Sequence, residues 1–152
     1  MTKSVVDWIP ACAGMTEAAI SMHKETVIMV SEKKMKEGMQ AYIDSFNRSD
    51  ATGITNLYAD DATVEDPVGS PLKSGKKAIT EFYQMAVQTG ARLRLAAPIR
   101  GSHGNSAAMA FDVELNMPAG RMVIQVIDVM TFNDEGKFTS MRAFWGPGDM
   151  VK

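Results

Sequence analysis

Cysteine and histidine are scarce in this chain, which has one cysteine, Cys12, and two histidines, His23 and His103, in 152 residues. A single cysteine excludes an intrachain disulfide framework, and two isolated histidines do not have the spacing of a metal-ligand cluster. An excess of either charge is also missing. With 16 Lys and Arg against 18 Asp and Glu, the formal charge is −2. The charges are scattered rather than blocked, so there is no basic stripe for nucleic acid and no polybasic membrane anchor. No apolar run is long enough to span a bilayer. Gly101, Gly104 and the other glycines form no phosphate-binding motif, and no Ser/His/Asp or Cys/His set, repeat or low-complexity segment occurs. What remains is one soluble domain with a sizeable core, best suited to a reducing cytoplasm.

The amino-terminal stretch stands apart. Ala11-Cys12-Ala13 resembles a cleavage or lipidation site, but the residues before it hold one lysine and are broken by Asp7 and Pro10, which argues against export. Residues 1–31 are expected to be a poorly ordered appendage, because their hydrophobic pattern does not join the periodic segments that follow. Met22, Met29 and Met35 are alternative starts, and part of the appendage is expected to be absent from the native product. The folded domain is expected over residues 32–152.

From Glu32 to Asn47, Met35, Met39, Tyr42 and Phe46 recur at helical spacing and turn Tyr42 inward. A short helix capped by Asp50 is expected to put Ile54, Leu57 and Tyr58 on one side. Ala62 to Asp66 reads as extended, ended by Pro67 and Gly69, with Asp66 at the strand mouth. A third helix opening near Ser74 carries Ile79, Phe82, Tyr83 and Ala86. The second half alternates as strands: Leu93, Leu95, Ala97 and Ile99, then Ala107 through Met117 on every second residue. Pro118-Ala119-Gly120 and Asn133 to Gly136 make tight connections into Met122–Phe132 and Lys137–Trp145. Helices first and meandering strands afterwards predict an α+β layer, one sheet covered by helices on its inner face.

Asp128 breaks the pattern. In a strand it shares its face with Met122, Ile124, Val126, Met130 and Phe132, while Arg121, Gln125 and Thr131 occupy the opposite face. A buried, unpaired carboxyl is driven to its neutral form, and a neutral carboxylic acid donates a hydrogen bond. The inward polar set is therefore Tyr42, Tyr58, Tyr83, Asp66 and Asp128 in apolar surroundings, the usual make-up of a small-molecule site. Two acids in unlike settings suit two roles, an ionised base at Asp66 and a donor at Asp128. Plainer readings stand beside this one. Asp128 can be paired with an arginine or a backbone amide, the tyrosines can be core residues with satisfied hydroxyls, and Asp66 before Pro67 can be a turn residue. Pattern alone stops at an apolar pocket with two carboxyls.

The stretch Tyr58-Ala59-Asp60-Asp61-Ala62-Thr63-Val64-Glu65-Asp66-Pro67 resembles the bacterial Δ5-3-ketosteroid isomerases, as do Tyr42 upstream and Val126-Ile127-Asp128-Val129-Met130 downstream. Glu81-Phe82-Tyr83, Ala108-Met109-Ala110-Phe111 and Met141-Arg142-Ala143-Phe144-Trp145 extend the resemblance from about Lys34 to Trp145. It implies the nuclear-transport-factor-2-like, SnoaL-like cone: a curved, mostly antiparallel sheet around a pocket covered by three helices, usually as a homodimer.

The resemblance also implies site roles. Asp66 would be the general base that moves a proton from C4 to C6 of a 3-oxo-Δ5-steroid. Tyr42 and neutral Asp128 would donate to the dienolate oxygen, with Tyr58 and Tyr83 as the supporting network. The pocket would be formed by Phe82, Met109, Phe111, Ile124, Val126, Met130, Met141 and Trp145. The neutral state of Asp128 comes with the resemblance, since these isomerases are the reference case of a carboxylic acid kept protonated in order to donate. No metal or organic cofactor is implied. A non-catalytic binder of apolar ligands, and an isomerase or cyclase acting on another enolisable ketone, stay open because this fold hosts both.

Overall fold

The computed structural model describes residues 29–152. The expectations for residues 1–28, the alternative start at Met22 among them, lie outside the described residues. The first helix, α1, spans Glu32–Asn47 and starts where Ser31 accepts a hydrogen bond from the Lys34 amide at 3.1 Å. That bond satisfies one of the orphan donors of the first turn, and Glu32 there suits the positive end of the helix. Its buried stripe is Met35, Met39, Tyr42, Ile43 and Phe46. The next helix, α2, covers Ala51–Thr55, capped by Asp50, whose carboxylate accepts from the Gly53 amide at 2.8 Å. A Cβ at Gly53 would crowd the capping Asp50 carboxylate and push it from its place, so glycine suits the cap there. The third helix, α3, runs over Gly75–Val87 with Ile79 and Tyr83 buried.

The sheet comprises β1 (Tyr58–Glu65), β2 (Lys73–Ser74), β3 (Arg92–Leu95), β4 (Ser106–Met117), β5 (Gly120–Phe132), β6 (Phe138–Phe144) and β7 (Met150–Val151). Its order is β2-β1-β6-β5-β4-β3, with β7 paired to β5. Among the described residues, all pairings are antiparallel except β1 with β6, so the α+β class holds, with a curved, mostly antiparallel sheet and three described helices. Three boundaries differ from the sequence expectation. Tyr58 opens β1 instead of continuing α2, because Phe138 N–H donates to the Leu57 carbonyl and draws the chain into the sheet. The strand at Leu93 stops at Leu95, short of Ile99; the Ala96 amide still donates to the Ala110 carbonyl, but Pro98 has no amide to continue the ladder, and pairing resumes at the Arg100–Ala108 bridge. Asp66 lies one residue beyond the end of β1.

Alternation along β4 and β5 sets the two faces. Ala107, Met109, Phe111, Val126, Met130 and Phe132 are buried, whereas Ile127 is 49% exposed on the outer face. Phe138 centres the aromatic core, edge-on to Tyr58 at 5.0 Å and to Phe132 at 5.2 Å between ring centroids. It has no exposed surface. Phe138→Ala is therefore expected to lower unfolding stability by roughly 3–5 kcal/mol, the usual loss for a fully buried Phe. Urea denaturation checks this; a loss below about 1 kcal/mol would mean that the ring is not load-sharing in the core. Among the described residues, no helix is long and apolar enough to cross a membrane.

Candidate active site

The helices and the inner sheet face enclose a cavity of about 280 Å³. Tyr42 and Phe46 reach it from α1, Phe82, Tyr83 and Ala86 from α3, Thr89 and Ala91 from the segment leading into β3, and Leu93 from β3 itself. Phe111, Val113 and Leu115 line it from β4, Ile124, Val126 and Asp128 from β5, and Asp66 and Trp145 from beyond the ends of β1 and β6. The wall is apolar apart from Thr89 and a small group of hydroxyl, carboxyl and indole functions. Among the described residues, no three His, Cys, Asp or Glu side chains cluster as metal ligands.

Of the residues singled out in the sequence, Tyr42, Asp66, Asp128, Tyr83, Phe82, Phe111, Ile124, Val126 and Trp145 meet at this cavity. Tyr58 does not line it. Its hydroxyl is buried behind Tyr83, 2.6 Å from the Tyr83 hydroxyl. Met109, Met130 and Met141, expected in the pocket wall, stand outside the lining and are buried in the core. Met109 is the cross-strand partner of Asp128 and Met130 that of Met141, and all three belong to the buried hydrophobic core. Phe46, Ala86, Thr89, Ala91, Leu93, Val113 and Leu115 were not anticipated. Their signal was present, since Phe46 follows Tyr42 by one helical turn, Ala86 follows Phe82 likewise, and Val113 and Leu115 continue the alternation of Phe111.

The three tyrosines form a chain with a fixed direction. Tyr83 donates to Tyr42 at 3.4 Å. A hydroxyl has one proton, so the 2.6 Å contact between Tyr58 and Tyr83 must then use the Tyr58 proton. The Tyr42 proton is left uncommitted, on a residue that lines the cavity. Burial, then the negative charge of Asp128, pushes the Tyr42 hydroxyl well above its ordinary value, which keeps that proton in place.

Asp128 is 1% exposed, and neither carboxyl oxygen has a hydrogen-bond partner. The arginine or backbone-amide pairing left open by the sequence is thus not found among the described residues. Its sheet neighbours, Met109 and Ala143, offer no polar side chain. Desolvation, reinforced by the negative charge of Asp66, drives its carboxyl well above the usual carboxylate range. That shift favours the neutral acid, the form of a carboxyl that can donate a hydrogen bond.

Asp66 is placed differently. Parallel pairing of β1 with β6 sets Glu65 opposite Arg142, so the two chains leave the sheet side by side. Trp145 Nε1 then donates to Asp66 Oδ1 at 2.9 Å. Asp66 is half-buried; desolvation raises its carboxyl above the ordinary value, while the Trp145 bond and the charge of Lys73 oppose the rise. A carboxylate held by an indole on one oxygen keeps the other free to take a proton. The site therefore brings two carboxyls in unlike settings and a tyrosine hydroxyl together in an apolar chamber.

An α+β cone with carboxyl and tyrosine groups at an internal cavity defines the class. The chain belongs to the SnoaL-like domain family, which matches residues 39–141. A steroid Delta-isomerase of Nocardioides simplex is 42% identical over 118 residues, covering 78% of this chain and 94% of that protein. The epoxide hydrolase LasB of Streptomyces lasalocidi is 25% identical over 140 residues, 78% of this chain and 50% of that protein. Among solved structures, the epoxide hydrolase/cyclase-like enzyme SalBIII, which acts in pyran ring formation in polyether salinomycin, matches with a TM-score of 0.73. It is 33% identical, with 79% of this chain and 96% of that one covered.

Proposed function

We propose that this chain is a cofactor-independent steroid Δ-isomerase that moves a C=C bond from Δ5 to Δ4 in 3-oxosteroids. The observation that carries the reading is the pairing of a buried, unpartnered Asp128 with an uncommitted Tyr42 proton in the cavity that also holds Asp66. Asp66 removes a proton from C4, and the electron pair moves towards the C3 oxygen to give a dienolate. Tyr42 and Asp128 donate to that oxygen as its charge develops, in a chamber where excluded water makes each donor count for more. Asp66 then returns the proton at C6. The proton balance closes on Asp66, and no electron leaves the substrate, so the step calls for no redox partner.

The similarity to the Nocardioides enzyme supports the same substrate class. The epoxide-opening relatives favour a different use of an acid and a base. A tyrosine hydroxyl and an unpartnered carboxyl lining one apolar cavity suit a planar enolate oxygen better. In the decisive assay, 5-androstene-3,17-dione is mixed with the protein and the conjugated product is followed by ultraviolet absorbance. Acceleration over buffer is expected. A folded protein without acceleration would leave a binder or an enzyme for another ketone or epoxide.

A homodimer and a cytoplasmic setting belong to the same reading. Ile127, Phe144, Met150 and Val151 are each at least 41% exposed, on or beside the outer sheet face, and a second copy would cover them.

A further inference from the structure

Lys73 is an unusual cation among the described residues. It lies in β2, paired through Val64 to β1, the strand that ends one residue before Asp66. Nearby lysines have oxygen partners: Lys76 donates to the Thr55 and Tyr58 carbonyls, and Lys77 pairs with Glu81. Lys73 is half-buried, yet its ammonium makes no hydrogen bond or ion pair among the described residues; it sits 4.6 Å above the Phe82 ring. Phe82 is itself part of the cavity wall and packs edge-on against Tyr83 at 5.0 Å. The aromatic face attracts the ammonium electrostatically, with no carboxylate partner needed to hold it.

We propose that Lys73 is a positioning residue, which supplies the positive field that keeps Asp66 ready as a base when an apolar ligand displaces water from the cavity. The proposal rests on the reading of Asp66 as the proton shuttle. Filling the cavity lowers the local dielectric, which makes a negative charge on Asp66 costlier and also strengthens the attraction of Lys73. The two effects offset each other, so the base stays usable in the loaded site. The other groups facing Asp66 are accounted for. Trp145 donates to it, Asp128 stands across the cavity, Tyr42 and Tyr58 are neutral, and the adjacent Glu65 is paired with Arg142. Among the described residues, the Lys73 ammonium is the charge that opposes the rise of the Asp66 carboxyl.

The test is a direct titration of Asp66 by carbon NMR on protein with labelled aspartate carboxyls, the resonance assigned with Asp66→Asn. Wild type, Lys73→Met, Lys73→Gln and Lys73→Arg are compared, each free and saturated with 4-androstene-3,17-dione. In Lys73→Met and Lys73→Gln the Asp66 midpoint is expected to move to higher pH, further when the ligand is bound, and Lys73→Arg is expected to restore it. In the isomerase assay, the neutralised variants should lose about threefold to tenfold in rate at the acid edge of the profile and little above pH 8. Having two neutral variants guards against a folding defect in one. Unmoved midpoints in folded neutral variants would overturn the proposal. A moved midpoint in a protein that turns over no steroid would uphold the electrostatic link and overturn the isomerase reading instead.

Discussion

Asp66→Asn is expected to lower steroid isomerisation by at least a hundredfold, towards the ten-thousandfold upper range of a positioned base, with little change in stability. The asparagine carbonyl can still accept the Trp145 indole N–H, which the wild-type carboxylate accepts at 2.9 Å. No buried donor is orphaned by the exchange, so a lost rate reports on proton transfer and not on a collapsed site. The wild-type pH profile gives a second reading of the same residue. Burial raises the Asp66 carboxyl above the usual range, so the rate should fall on the acid side at a higher pH than an exposed aspartate would give, and level off above it. Stopped-flow or steady-state absorbance on both proteins measures the effect. Full activity in Asp66→Asn would remove Asp66 from the mechanism.

Different parts of this arrangement were legible in the sequence to different degrees, for reasons that can be traced to particular residues. Asp128 could be placed on the inner face because strand alternation is strict, and Tyr42 and Tyr83 because helical spacing is nearly so. Both signals are local. The bond from Trp145 to Asp66 joins residues 79 apart and depends on β1 running parallel to β6, which no local pattern announces. Depth was also hidden. Met109 and Phe111 share a face of β4, yet Phe111 reaches the cavity while Met109 fills the core, and alternation assigns a face but not a depth along the strand. Tyr58 faced inward as expected but from a strand, since the hydrogen bond between Phe138 and Leu57 overrides the short helical stripe before it. The position of Lys73 over Phe82 had no sequence signature, because a lone lysine after a loop usually points to solvent.

Asp128→Leu is expected to change activity and stability in opposite directions. It removes one of two donors to the dienolate oxygen, which typically costs about a hundredfold to a thousandfold in rate; Tyr42→Phe should lose a similar factor. Asp128→Asn keeps an N–H donor of the same shape and should fall between Leu and wild type. Stability follows the proton. An unfolded aspartate titrates near pH 3.9, whereas the folded Asp128 carboxyl lies well above its ordinary range. Between those two values the folded chain binds a proton that the unfolded chain has released, so wild-type stability declines as pH rises. The slope is up to about 1.4 kcal/mol per pH unit, and the decline ends once the folded carboxyl also ionises. Below about pH 4 both states are protonated and the contribution is constant. Asp128→Leu has no such proton. Any packing strain from the larger side chain is a fixed offset, so its stability relative to wild type should climb steadily from pH 4 towards neutrality. Urea melts of the two proteins at intervals between pH 4 and pH 8 measure the divergence. Parallel curves across that range would mean that Asp128 carries no proton in the folded protein, and a charged carboxylate beside Tyr42 could not donate to an enolate oxygen.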